Sequence, residues 1–503
     1  MGGPALGAPG RGDSVRRRAA LPDRGRRGGD PAARDDRHRG PGPGQALRRD
    51  GAGPPDRLHG RLDDPGDPRR LRRAGAAGRR RGAGRLAEAA ARRSRHRRRD
   101  GAPRARALPR ALQLRGGARR AVPARRADRR RAPAVKILIV SRPFVFHGGV
   151  ERATVGFVEA LLAHGHEVHL LSPRGQQPLR GVTVHTLALP PVPGPARVLA
   201  LALAARLAVR RRAWDAVQSH ERTLGQDVYR AGEGCHRAYL AAMGPSFHRR
   251  AVYHRLLLAL ERRVFTRTPE IVAISRLGAG EIAALYGVPE TRLTVVYNGV
   301  DLARFHPDNR ARHRACARGE AGVPAGAWTA LFAGSGFERK GLATAIEALA
   351  RLDDRASRLL VLGKGDRRPY ERLAAQRGIA ERVAWLGPRP DIERWYAAAD
   401  ALVLPTRYEP FGNVHLEALA SGLPVVTTTS AGGAEVVGAD SGAVVEPRDP
   451  AAVASALERL RAGSTARTIA GARAAAEPFT YPRQVAAFER IYRRLPSRAR
   501  LLP

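Results

Sequence analysis

Short apolar runs recur along residues 135–427 of this 503-residue chain, and each is followed by a turn and a segment with helical periodicity. Val135-Lys-Ile-Leu-Ile-Val140 leads into a turn containing His147-Gly148-Gly149, and helical spacing resumes at Val150. Glu167–Ser172, Val182–Thr186, Ala216–His220 and Ile271–Ser275 repeat the pattern. Strands buried on both faces read as continuous apolar runs, and strand–helix–strand successions join parallel neighbours. The first series therefore predicts a parallel sheet covered by helices on both faces. A second series opens at Thr329–Ala333 and continues through Arg358–Gly363, Val383–Leu386, Ala401–Leu404 and Pro424–Thr427. Between the two, the stretch from Asn298 to Pro324 is rich in polar and turn residues and reads as the link.

The expected fold class is α/β, with two doubly wound, Rossmann-like domains facing each other across a cleft. The first domain is expected over 135–305 and the second over 306–480. A last segment, 481–503, carries Val485, Phe488, Ile491 and Tyr492 at helical spacing and is expected to be a helix near the interdomain seam.

Residues 1–134 obey no such pattern. They contain no Lys, Asn, Thr, Ile, Phe, Tyr, Trp or Cys, and hold 39 Arg against 13 acidic residues, a net charge of 39 − 13 = +26. The remainder has 90 − 39 = 51 basic and 46 − 13 = 33 acidic residues, a net +18. A segment without aromatic residues or Ile cannot bury enough apolar surface to offset its ordering entropy, so disorder is expected. Dense Arg attracts phosphate, which would suit a nucleic-acid or anionic-membrane arm. The missing residue types are mainly those with A/T-rich codons, and Val135 would record a GTG start, so the favoured expectation is a mis-set start.

Cysteine usage is minimal, with only Cys235 and Cys316, which argues against a disulfide framework and for a reducing, cytoplasmic setting. No metal-ligand spacing is evident, and no apolar run approaches the roughly 20 residues of a membrane span. The stretch Val198–Val209, followed by Arg210, Arg211 and Arg212, is too short to cross a bilayer. It suits either a packed helix or peripheral contact with an anionic membrane.

Chemistry concentrates in two places in the second series. Gly334-Ser-Gly-Phe-Glu-Arg339-Lys340-Gly341 is a Gly-rich loop between a strand and a helix, where cations and backbone amides can converge on a diphosphate. About seventy residues on, Tyr408-Glu-Pro-Phe-Gly-Asn-Val-His-Leu-Glu417 carries two carboxylates. Eight residues advance a helix by about 12 Å, so Glu409 is expected in a loop and Glu417 on a helix from near Gly412 to Gly422. Carboxylates suit hydroxyls, and cations suit a departing diphosphate. Weaker signals are Gly148 and Gly149 after the first strand, His220 at the end of a first-domain strand, and Arg389, whose guanidinium could stack on a base. The ordinary alternative for each is a structural His, a surface Arg or a simple turn.

In order and spacing, Gly148-Gly149, Asn298-Gly-Val-Asp301, Arg339-Lys340-Gly341 and the Glu409–Glu417 pair resemble the retaining glycosyltransferases of family 4, which have the two-domain GT-B fold. The resemblance covers nearly all of 135–495. Within the family, Gln226–Tyr239 and Gly334–Gly341 are most similar to the lipopolysaccharide-core glucosyltransferases, although Glu409-Pro-Phe-Gly-Asn follows the general family pattern instead. The resemblance implies Arg339, Lys340 and Glu409 as catalytic residues, to which the strand-end position of His220 adds a catalytic or acceptor-positioning candidate. It implies donor binding by Gly148, Gly149, Arg389, Phe411, Gly412, Asn413, Val414 and Glu417. It also implies no cofactor or metal, a nucleotide-sugar co-substrate such as UDP-glucose, and a saccharide or glycolipid acceptor. A GDP-mannose-dependent mannosyltransferase or another GT-B nucleotide-sugar enzyme is the nearby alternative. A basic nucleic-acid or membrane adaptor is the alternative from another class, though no specific nucleic acid is expected as partner.

Overall fold

A computed structural model describes residues 134–144, 149–192, 194–244, 251–463 and 465–496. The Arg-rich segment, apart from Ala134, lies outside the described residues, as do His147 and Gly148.

Thirteen strands among the described residues form two all-parallel sheets. The first sheet contains β1 (Lys136–Val140), β2 (Glu167–Pro173), β3 (Thr183–Leu187), β4 (Ala216–Ser219), β5 (Val228–Ala231), β6 (Glu270–Ala273) and β7 (Leu293–Val295). Its order is β3-β2-β1-β4-β5-β6-β7. The second holds β8 (Thr329–Ala333), β9 (Arg358–Leu362), β10 (Val383–Gly387), β11 (Ala401–Leu404), β12 (Val425–Thr428) and β13 (Gly442–Val445), in the order β10-β9-β8-β11-β12-β13. In each sheet the chain reverses its direction of winding at the first strand, where β1 lies between β2 and β4, and β8 between β9 and β11. This leaves a crevice at the carboxyl ends of those strands, the place where such sheets bind ligands.

Burial explains which strands were readable. The apolar runs of β1, β8, β9 and β11 are almost wholly buried, as the covered faces of a parallel sheet require. Three strands gave no such signal. β5 carries Arg230 within Val-Tyr-Arg-Ala, β7 has only three residues, and β13 begins at a glycine.

The helix Tyr481–Tyr492 is capped by Thr480, whose side chain accepts from the Arg483 amide, with Pro482 in its first turn. Val485, Phe488, Ile491 and Tyr492 join the core of the first lobe with Ile137, Phe157 and Val228. Tyr492 also donates to Gln218 on β4 at 2.6 Å. The chain thus returns across the cleft and completes the first lobe with its last helix. In the second lobe, Arg310, Arg314 and Arg318, one helical turn apart, converge on Asp400 at 2.7 Å each. They tie the helix Asn309–Glu320 to the start of β11.

Candidate active site

The loop after β8 is shaped by close backbone approach. Gly341 has φ +77°, and a Cβ there would run into the carbonyl of Pro405, just past β11. Only glycine satisfies both demands. The contact holds Arg339 and Lys340 beside the loop that follows β11. Glu409 on that loop accepts from Arg339 Nη1 at 2.8 Å and pairs with Lys340 Nζ at 2.9 Å, both through Oε2. Burial alone would raise the Glu409 pKa, but Lys340 and Arg339 outweigh it and hold the carboxylate down at about 2. Lys340 and Glu409 are 7% and 9% exposed, so their attraction is little screened by water.

Gly412, at φ +80°, turns the chain into the helix Asn413–Ala420. The first turn presents the positive end of the helix. Glu417 lies on this helix, buried, and accepts from Tyr396 Oη at 2.9 Å. Burial pushes its pKa up, against Tyr396 and the nearby Arg152, Arg304 and Lys340. Loop and helix thus divide the two carboxylates as their spacing predicts. Phe411 is fully buried and packs against Tyr297, so its side chain anchors the loop while the backbone at 411–412 borders the turn. Val414 packs against the second-lobe core. Asn413 Oδ1 accepts from Asn298 Nδ2 at 2.6 Å, and Asn298 Oδ1 accepts from the buried Arg230 at 2.6 Å. The Asn298 motif therefore joins the first-lobe sheet to the start of the helix Asn413–Ala420.

His415 escaped the sequence reading although it stands inside the motif. Its Nδ1 contacts the Gly412 carbonyl at 2.8 Å and its Nε2 the Thr427 hydroxyl at 2.8 Å. Burial lowers its pKa to about 4, so it is a neutral brace for the loop.

The first lobe contributes less compactly. Gly149 opens the helix Gly149–Ala163, and Arg152 in its first turn donates to the Pro390 carbonyl of the second lobe at 2.7 Å. His220 is buried beyond β4. Its Nε2 lies 2.7 Å from Gln218 Nε2, while its Nδ1 has no partner. Burial, helped by Arg230, holds its pKa well below the ordinary value, leaving a neutral imidazole with one uncommitted nitrogen. Arg389 is not gathered with the Glu409 cluster. Its guanidinium lies over the Trp395 ring at 5.0 Å and pairs with Glu320 at 2.8 Å.

A cavity of about 500 Å³ opens between the lobes, with Arg339, Tyr408 and Glu409 on one side and Arg142, Glu221 and Glu233 on the other. Those three first-lobe residues were not foreseen. Arg142 and Glu221 lie just past the carboxyl ends of the adjacent strands β1 and β4, a position that could have marked them. Tyr408 bridges the lobes: its Oη accepts from the Cys235 amide at 3.1 Å and lies 3.0 Å from Glu281. Burial lifts the Glu281 pKa to about 7, opposed by the Tyr408 hydroxyl. Ser275 adds a hydrogen bond to the Pro410 carbonyl at 2.7 Å. Among the described residues no group of three or more His, Cys, Asp or Glu side chains is placed to hold a metal ion.

Family models match both lobes: "Glycosyltransferase Family 4" over residues 147–304 and "Glycosyl transferases group 1" over 328–462. A D-inositol 3-phosphate glycosyltransferase of Xylanimonas cellulosilytica is 37% identical over 247 residues, covering 46% of this chain and 58% of that relative. The chain thus spans little more than half the length of that relative. A Burkholderia thailandensis protein named "Probable transglycosylase" is 34% identical over 279 residues, 54% of this chain and 72% of the relative. Among solved structures, WaaG, a glycosyltransferase involved in lipopolysaccharide biosynthesis, superposes with a TM-score of 0.61 at 25% identity, covering 70% of this chain and 99% of WaaG. Two parallel sheets around one cleft, together with these matches, show that the chain belongs to the GT-B glycosyltransferases, with a family 4 first lobe and a group 1 second lobe.

Proposed function

We propose that the protein transfers a hexose, with retention of anomeric configuration and without a metal ion, from a nucleoside diphosphate sugar to a hydroxyl of a saccharide or lipid-linked saccharide. The observation that carries this reading is the cluster of Arg339, Lys340 and Glu409, in which two cations share one carboxylate beside a helix amino terminus. A diphosphate offers those cations a second anion. Its departure is favoured wherever positive charge is already in place and needs no reorganisation.

In the proposed reaction, the bond from the anomeric carbon to the phosphate oxygen breaks as the acceptor oxygen bonds to the same face of that carbon. The acceptor's proton passes to the departing phosphate oxygen. Arg339 and Lys340 stabilise the diphosphate, Glu417 holds ribose hydroxyls, and Glu409 with the 411–412 backbone orients the sugar. His220, just past the end of β4, is proposed to help position the acceptor from the first lobe. UDP-glucose is the favoured donor, on the resemblance to the lipopolysaccharide-core glucosyltransferases, and a lipopolysaccharide core or another cell-surface glycan is the favoured product. A thermal-shift screen of UDP- and GDP-sugars tests the donor, because a ligand that binds only the native state stabilises it by mass action. A UDP-sugar should give the largest shift, a GDP-mannose response would replace glucosyl by mannosyl transfer, and silence from every nucleotide sugar would refute the site. Transfer that collapses in EDTA and returns with a divalent ion would refute metal independence.

Peripheral contact with an anionic membrane, at the cytoplasmic face of the inner membrane, belongs to the same proposal. The helix Gly194–Val209 exposes Leu199, Leu203 and Leu207 along one face, next to exposed Arg206 and Arg210, and contains no acidic residue. Such a face favours an anionic bilayer surface. Among the described residues no helix is long and apolar enough to cross a membrane. Co-sedimentation with anionic vesicles should fall severalfold in Leu203→Glu, and equal recovery with neutral and anionic vesicles would argue against the contact.

A further inference from the structure

The first-lobe side of the cleft has a charge balance that restricts what it can accept. Its lining includes two guanidinium groups, of Arg142 and Arg222, and two carboxylates, of Glu221 and Glu233. Every one of these cations is already engaged. Arg142 grips Glu221 in a two-point bond, Nε to Oε1 at 2.8 Å and Nη2 to Oε2 at 3.0 Å, and also reaches Glu233. Arg222 pairs with Glu233 at 2.9 Å and with the buried Glu261 behind it at 2.9 Å. His236, also in the lining, has its pKa lowered to about 4, chiefly by burial with Arg222 adding, and is uncharged near neutral pH. This neutrality is local, because residues 135–503 together carry 51 − 33 = 18 excess positive charges.

We infer that the unit of the acceptor that enters the cleft is an uncharged, hydroxyl-bearing sugar or polyol, and that Glu221 and Glu233 exclude phosphorylated sugar units from the acceptor side of the cleft. This deepens the proposed transfer reaction and rests on it. An entering phosphate would lose water without gaining an unpaired cation, and would lie beside the carboxylate of Glu233, the more exposed of the two. A hydroxyl meets the opposite situation. Each carboxylate has about four lone-pair directions and retains acceptor capacity after binding an arginine. Tyr239 and Tyr253, also in the lining, offer aromatic faces to the C–H side of a sugar ring. The selection differs from that expected of a relative named for D-inositol 3-phosphate, even though the two chains are 37% identical over their matched region.

The test compares matched pairs on the nucleotide-bound protein: methyl glucoside with glucose 6-phosphate, and myo-inositol with D-inositol 3-phosphate. Ligand-observed NMR reads binding, and product formation reads transfer. The neutral member of at least one pair should bind at least tenfold more tightly than its phosphorylated counterpart. Equal or tighter binding of the phosphorylated members, or no binding by any neutral member, overturns the inference. In Glu221→Gln/Glu233→Gln, Arg142 loses both charged partners, so discrimination should narrow by at least tenfold while nucleotide binding stays near wild type. Unchanged discrimination in that variant removes the role given to the two glutamates. A variant that fails to fold is replaced by Glu233→Gln alone, judged by the same criterion. Loss of nucleotide binding by the wild-type protein would defeat the transferase reading itself, whereas retained nucleotide binding with the wrong acceptor preference defeats only this inference.

Discussion

The two sides of the cleft handle charge in opposite ways. On the second-lobe side, Arg339 and Lys340 share one carboxylate, leaving a positive excess in a buried setting. On the first-lobe side, Arg142 and Arg222 are matched and backed by Glu221, Glu233 and Glu261. Burying an unbalanced charge is costly unless a ligand completes it, so the first arrangement suits an anion and the second does not. Net charge of a lobe says little about what its cleft selects; the pairing of particular side chains decides.

The largest expected effect comes from removing a cation on the unbalanced side. Lys340→Ala should lower turnover by about a hundred- to a thousandfold, as the loss of a preorganised oxyanion-stabilising group does elsewhere. Single-turnover transfer checks it, and a near-normal rate would erase the distinction between the two sides.

A pH titration sharpens the contrast by locating the brace of the donor-side loop. His415 is held at about 4 against an ordinary 6.5, so below pH 6.5 the unfolded chain takes up a proton that the folded chain refuses. Its contribution is present above pH 6.5 and is lost as pH falls toward 4, a span worth roughly 3 kcal/mol. Glu409, held at about 2, adds a loss only below its ordinary 4.5. Between pH 6.5 and 4.5 the wild-type protein should therefore lose more stability, or gain less, than His415→Gln, read from their unfolding midpoints.

Backbone strain offers a third test of the same loop. Gly341→Ala places a Cβ against the Pro405 carbonyl at a positive φ and should cost about 2 kcal/mol or more in urea unfolding. A neutral result would mean that the loop can shift, and that its cations are less rigidly held than the first-lobe pairs.

The smallest effect is the most diagnostic. Glu409→Gln frees both cations, so UDP should bind several-fold to about tenfold more tightly, the scale of one pKa unit of interaction, while sugar transfer falls. Weaker UDP binding would show that the carboxylate organises the cations instead of competing for them.

Legibility in sequence followed the distance along the chain over which each feature is built. Both sheets were visible because their central strands are apolar runs that nothing else in a folded chain requires. β5 was hidden by Arg230, whose buried guanidinium donates to Asn298, 68 residues away. The donor-side cluster was readable because Arg339 with Lys340, and Glu409 through Glu417, sit in compact motifs bounded by glycines. The pairing of Arg142 with Glu221 and Glu233 spans 79 and 91 residues and exists only after the sheet has formed. His415 was overlooked because its motif position carries no sign of whether the ring faces substrate or props the turn. The ion pair of Arg389 with Glu320 joins residues too far apart in the chain for the sequence to pair them.

Tyr408 bonds to the opposite lobe, and the next residue in the chain is Glu409. One peptide unit thus connects the jaw contact to the carboxylate that restrains the cations. Parting the jaws would tug that carboxylate, so in the proposed reaction release of the spent nucleotide and relaxation of the grip on sugar would proceed as one motion.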